Sequence, residues 1–243
     1  MRNRLKQSYW ALMILVLLAA GAAGCSKTGA TETVASVTYI SVVNAAPYGP
    51  SVDLYLNDTL VTPSGGIPPG QYSTQYGSVR PGNYDVQFKA DGTGNLLYDI
   101  PASAFDTNNF YTLITYNTAP GGGSVQALKI HDDFSSVTST STYYRFFNLS
   151  PDAPSVDVYL NGTISQSQRA PADIVYNTTF DAFTAIPVAI YSLQIMKAGT
   201  DSVLASATSV PLGGGDVYTI FLGGKYHSAA SDSLTISVLQ ASF

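Results

Sequence analysis

The chain is poor in charge. Asp, Glu, Lys and Arg make up 11% of it, against about 25% in an ordinary soluble domain. It has one Cys, one Trp and two His among 243 residues. A single Cys excludes a disulfide scaffold. Eleven basic against 16 acidic residues, and a pI near 4.7, exclude the cationic surface that nucleic-acid binding needs. Past the N-terminus no segment shows a helical period. What is present is apolar and uncharged: 45% hydrophobic residues, 17 Tyr, 21 Gly and 13 Pro. That is ample material for a core, which excludes a disordered acidic tail. With abundant Thr, Ser and Asn it predicts an all-β exported protein.

The N-terminus reads as an export signal. Arg2, Arg4 and Lys6 precede an apolar run of 11 residues from Trp10 to Ala20. That length suits a signal-peptide core and is too short for a membrane-spanning helix. The run ends in Ala22-Ala-Gly-Cys25, which resembles the bacterial lipobox, although Ala22 stands where Leu is commoner. The resemblance implies cleavage after residue 24 and lipidation of Cys25, with acyl chains anchoring the protein stably. Removing Arg2, Arg4 and Lys6 takes the formal charge from −5 to −8. Ser26 follows the Cys rather than Asp, which points to the outer membrane. Residues 25–36 read as a lipid-anchored tether of small polar residues.

The remainder is one domain written twice. Asn44-Ala-Ala-Pro-Tyr-Gly-Pro-Ser-Val-Asp-Leu-Tyr-Leu-Asn57 returns as Asn148-Leu-Ser-Pro-Asp-Ala-Pro-Ser-Val-Asp-Val-Tyr-Leu-Asn161, with 9 of 14 positions identical. Further on, Pro81 answers to Pro187, Tyr84 to Tyr191, Gln87 to Gln194 and Tyr111 to Tyr218. The polar stretch 135–142 reads as a linker between repeat 1 (37–134) and repeat 2 (143–243). Each repeat shows short alternating segments, such as Val52, Leu54 and Leu56 against Asp53, Tyr55 and Asn57. Period two predicts strands with one face buried and one wet. About seven strands per repeat predict two tandem immunoglobulin-like β-sandwich domains. Tyr111 and Tyr218 open strands after a corner and read either as tyrosine corners or as ordinary core tyrosines.

The Pro-x-x-Pro-Ser-Val-Asp-x-Tyr-Leu-Asn element resembles the bacterial domain-of-unknown-function 4397 family. Repeat 2 matches that pattern with Pro151-Asp152-Ala153-Pro154, whereas repeat 1 departs from it with Tyr48-Gly49. The resemblance implies extracytoplasmic β-sandwich lipoproteins, often in tandem, with no established activity.

Chemistry-bearing clusters are scarce. His131 and His227 fall at unrelated points of the repeat, without the neighbours a zinc site needs. Gly-Gly-Gly at 121–123 and 213–215 lacks the Lys-Ser/Thr and helix of a phosphate loop. Asp53 and Asp157 face away from the apolar side of their strands. They read either as acceptors of backbone N–H bonds from the preceding Pro-rich turn or, for Asp157 together with Asp152 and loop carbonyls, as hard ligands for calcium. Tyr55 and Tyr159 fall on the same wet faces, where rings can stack on a sugar. The loops 57–71, 117–124, 161–172 and 223–233 are placed to frame sites at the domain ends. Thr59, Ser202 and Ser233 sit in Asp-Ser/Thr-apolar triplets that resemble bacterial O-glycosylation sequons. The expectation is a non-enzymatic envelope protein, attached to the membrane by its lipid, without a cofactor, structural or binding a glycan or protein. The alternative is an accessory hydrolase or calcium-dependent adhesin using loop carboxylates.

Overall fold

The computed structural model describes residues 36–242. The expected signal peptide, Cys25 and all but the last residue of the tether therefore lie outside the described residues. Repeat 1 contains β1 (Thr38–Ala45), β2 (Val52–Leu56), β3 (Thr59–Leu60), β4 (Gly77–Val79), β5 (Gly82–Ala90), β6 (Leu96–Phe105), β7 (Phe110–Asn117) and β8 (Val125–Asp132). Repeat 2 contains β9 (Thr142–Asn148), β10 (Val156–Leu160), β11 (Thr163–Arg169), β12 (Thr184–Ile186), β13 (Ala189–Lys197), β14 (Val203–Leu212), β15 (Val217–Gly223) and β16 (Thr235–Ala241). Two short 3-10 turns, Asp173–Val175 and Thr178–Asp181, separate β11 from β12.

Each repeat is a sandwich of two four-stranded sheets. Repeat 1 pairs its strands in the orders β4-β1-β7-β8 and β3-β2-β5-β6, and repeat 2 in the orders β12-β9-β15-β16 and β11-β10-β13-β14. The first and seventh strands of each repeat run parallel, with Ile40 opposite Tyr111 and Phe146 opposite Ile220. Eight strands stand where about seven were expected. The edge strands β3 and β4 have only two and three residues, too few to show a period. Two further edge strands, β6 and β14, each contain a Pro and a bulged register with β5 or β13. Proline is tolerated there because an edge strand need not donate every N–H to a ladder.

One expectation fails in an informative way. β1, β7, β9 and β15 are buried on both faces rather than one. Their alternate residues split between two cores. Ile40, Val42 and Leu113 pack inside repeat 1, and Tyr144, Phe146 and Ile220 inside repeat 2. The intervening Val43, Ile114, Phe147 and Phe221 meet in a third core between the repeats. The sheet β4-β1-β7-β8 therefore faces the sheet β12-β9-β15-β16 across a shared apolar layer. Consecutive apolar residues, Val42-Val43, Leu113-Ile114 and Phe146-Phe147, are the sequence mark of a strand covered on both sides.

A buried ion pair crosses that middle core. Arg145 Nη2 lies 2.7 Å from Asp132 Oδ1, and neither side chain is exposed. Arg145 also donates from Nε to Thr219 Oγ1 at 2.9 Å, from Nη1 to the Asp181 carbonyl at 3.2 Å and from Nη2 to Thr112 Oγ1 at 3.3 Å. The rings of Phe183 and Phe147 flank its guanidinium at 4.4 and 5.0 Å. Asp132 Oδ2 accepts from Thr112 Oγ1 at 2.6 Å and Tyr76 OH at 2.7 Å. A guanidinium survives burial when its donors are spent in this way.

Candidate functional site

The repeated motif proves to be a folding element. Asn44 Nδ2 donates to the carbonyls of Pro50 and Ile67 at 3.0 and 2.8 Å. Asn148 Nδ2 does the same to Pro154 and Arg169 at 3.3 and 3.1 Å. Each Asn thus ties the proline-rich turn to the segment crossing it. At the other end of the motif, Asn57 and Asn161 adopt positive φ of 47° and 49°. Their side-chain oxygens accept from Asp85 N at 2.9 Å and Ser192 N at 2.8 Å. Asn tolerates the left-handed region better than other side chains, which explains its presence at both turns.

The motif aspartates do not face solvent. Asp53 and Asp157 are 7% and 6% exposed, because the segments after β2 and β10 fold over them. Asp53 accepts from Thr62 Oγ1 at 3.3 Å. Asp157 accepts backbone N–H groups of Gln168 at 2.9 Å and Gly199 at 3.0 Å. These donors belong to later segments, not to the preceding proline turn. Tyr55 and Tyr159 are half-buried, and the Lys89 ammonium sits 4.4 Å from the Tyr55 ring centroid. Of the other residues, Thr59 and Ser202 are exposed and Ser233 is half-buried. His131 and His227 are exposed and far apart in sequence, His131 meeting Asn109 Oδ1 at 3.1 Å. Tyr111 OH accepts from Asp106 N at 3.1 Å, and Tyr218 OH from Gly213 N at 3.2 Å. Both tyrosines therefore pin backbone five residues upstream.

Asp152 explains the place where repeat 1 departs from the motif. Its equivalent is Tyr48, and the two equivalent residues meet, Tyr48 OH donating to Asp152 Oδ2 at 2.8 Å. Two carboxylates facing each other here would repel. The bond to the Asp152 carboxylate, with burial second, pushes the Tyr48 phenol above its usual pKa. Asp152 Oδ1 accepts from Tyr226 N at 2.9 Å and Ser150 Oγ at 3.0 Å. Asp152 and Asp157 share no hydrogen-bond partner. Among the described residues no three His, Cys, Asp or Glu side chains gather as a metal-ligand set.

Around the buried ion pair, burial pushes the Tyr76 phenol well above its normal range, and the Asp132 carboxylate adds to this. Burial likewise raises the Asp181 carboxyl; the Asp132 charge acts in the same direction and Arg145 opposes it. Asp181 Oδ1 is buried without a hydrogen-bond partner. Tyr76 and Asp181 are half-buried at the margin of the middle core, beside the Arg145–Asp132 pair.

A separate concavity lies in repeat 1. A cavity of about 820 Å³ opens at the edge where β3 and β4 stop short, under the segment 61–79. Its floor is Ile40, Val42, Leu54 and Ile67, all buried core residues. The segment above it is stitched to β1 and β2. Ser73 N donates to the Val42 carbonyl at 2.8 Å, and Val52 and Ile67 exchange both backbone bonds at 2.9 and 2.8 Å. Gly66, at φ +61°, brings its Cα so close that an added Cβ would sit 2.9 Å from the Val52 carbonyl oxygen. The lining includes no Asp, Glu, Lys, Arg or His. Sequence reasoning placed the 57–71 loop at a domain end but missed this cavity, because nothing in the loop itself encodes the void beneath it. The available signal was the pair Ile40/Val42 standing where repeat 2 has Tyr144/Phe146.

The described region is thus a tandem pair of all-β sandwiches with a neutral apolar cavity in the first. A family model described as "Domain of unknown function (DUF4397)" matches residues 38–159 and 145–241. These matches run over most of the chain, which belongs to that family. No curated protein matches it.

Proposed function

We propose that this chain is a lipid-anchored bacterial envelope protein, held at the outer membrane through Cys25, whose folded region is a non-enzymatic binding module. The observation that carries the binding role is the cavity of about 820 Å³ in repeat 1, a volume typical of small-ligand sites. The two sandwiches serve as a rigid mount for it. The middle core and the Arg145–Asp132 pair leave little freedom between the repeats. The anchor is supported by the charged n-region, the apolar run and the small residues before Cys25. Among the described residues no helix is long and apolar enough to cross a membrane.

Two measurements test the reading. A palmitate analogue fed to the producing cells is expected to label the wild-type chain and not Cys25→Ser, and the labelled chain is expected to sediment with outer membranes. An unlabelled, freely soluble wild-type chain overturns the anchor. Organic extracts of the purified chain are expected to contain a species missing from the variant with Ile40→Tyr and Val42→Phe. Identical extracts overturn the binding role.

A further inference from the structure

We propose that the repeat 1 cavity accepts an uncharged, mainly aliphatic amphiphile, one apolar chain bearing a hydroxyl or carbonyl head. The inference rests on the binding role above and adds the chemistry of the ligand. Three observations lead to it.

The first is the floor. Ile40, Val42, Leu54 and Ile67 are between 1% and 6% exposed, yet all four line the void. Such a surface gains by exchanging water for hydrocarbon. The second is the rim. Gln71, Thr74, Gln75 and Ser78 are exposed, and their side chains make no hydrogen bond to other described residues. They are neutral donors and acceptors, suited to a hydroxyl, ester or amide. An ionised head would find no counter-charge in this lining.

The third observation comes from the other repeat, which shows that the fold does not require the void. At the positions of Ile40 and Val42, repeat 2 carries Tyr144 and Phe146, both fully buried. The Tyr144 hydroxyl reaches across to Ser165 on β11. β11 has seven residues where β3 has two. At the position of Ile67, Arg169 is clamped by Asp173 at 2.6 and 2.9 Å and covered by the Phe180 ring at 3.7 Å. A cleft of only about 340 Å³ remains at that edge. One duplicated unit is plugged and the other is open at the same place.

The test is photolabelling of the full chain with two diazirine probes of equal chain length, a fatty alcohol and a fatty acid. Peptide mass spectrometry then maps the adducts. The alcohol is expected to modify peptides of the 61–79 segment and the β1 floor. Labelling there should fall at least about tenfold in the variant with Ile40→Tyr and Val42→Phe. A second variant, Thr74→Lys, changes an exposed rim residue and leaves the core untouched. It is expected to shift labelling towards the acid. Preferential or equal labelling of the wild type by the acid overturns the ligand class while leaving the binding role intact. Adducts spread over the surface, unchanged by filling the cavity, overturn both.

Discussion

Repeat 1 and repeat 2 share a topology, a motif and a set of turn bonds, yet they solve the same edge differently. In repeat 2 a long β11, two aromatic side chains and a clamped arginine close the space between the sheets. In repeat 1 a two-residue β3 and a pair of aliphatic side chains leave it open. The conserved geometry of Asn44 and Asn148, and of Asn57 and Asn161, lies outside this difference. It follows that the motif specifies the sandwich and that the residues between motif elements decide what the sandwich can hold.

The interface shows the same division. Arg145 and Asp132 have no counterpart pair, since the equivalent positions are Ser41 and Ala241. Replacing Arg145 with the repeat 1 residue, Arg145→Ser, strands Asp132 in the middle core. The expected loss is about 3–5 kcal/mol, read from denaturant unfolding. A loss below about 1 kcal/mol would mean that the pair behaves as an exposed one.

Converting repeat 2 into repeat 1 is expected to have the next largest effect. Tyr144→Ile with Phe146→Val removes the aromatic plug and is expected to cost about 2–4 kcal/mol. The fatty-alcohol probe should then also label repeat 2. Unchanged stability would show that the plug is not what seals the edge.

Tyr48→Asp gives repeat 1 the residue found in repeat 2. It replaces a hydrogen bond to Asp152 with a facing carboxylate, at an expected cost of about 1–2 kcal/mol that shrinks in high salt. A salt-independent loss would count against the charge argument.

Tyr84 and Tyr191 make the same bond, each donating to the carbonyl four residues upstream at 2.7 Å. Tyr191 is buried whereas Tyr84 is only half-buried. Tyr191→Phe is therefore expected to cost about 1 kcal/mol and Tyr84→Phe about half that or less. Thermal melting of the two variants side by side measures the gap.

The smallest expected effect is a pH dependence. The Asp181 carboxyl is raised by burial, so the folded chain binds that proton more tightly than the unfolded one. Stability tied to it is present at low pH and is lost as pH rises from the unfolded to the folded pKa. Asp181→Asn should therefore raise the unfolding midpoint at neutral pH, and the gain should vanish below about pH 4. A gain that persists in acid would assign the effect to packing instead.

Much of the fold was legible because strand alternation survives wherever one sheet face differs from the other. Val52, Leu54 and Leu56 marked β2, and Tyr84, Val86 and Phe88 marked β5. The weak points have physical causes. β3 and β4 are too short for a period, and β6 is bent by a bulge at Ala102, φ 49°. Asp53 and Asp157 were placed correctly on the face opposite the core but were not expected to be buried. Covering segments, not the strands themselves, remove them from water. Nothing local to β1 distinguishes a strand with one wet face from one that meets a second sandwich, apart from the doublet Val42-Val43.

The sequence alone determined the duplication, the all-β class, the family and the turn chemistry, because these depend on local spacing and on side chains acting within a few residues. The tertiary structure decided the rest. It placed Tyr48 against its own equivalent, joined Asp132 to Arg145 across the repeats, and left a cavity over Ile40 and Val42. Each of these depends on which distant surfaces meet and how their volumes match, and neither charge content nor periodicity encodes that. The scarcity of charge likewise gains a location. Few charges are needed where two sheets face each other, and the Arg145–Asp132 pair placed there is surrounded by hydroxyl, carbonyl and aromatic partners.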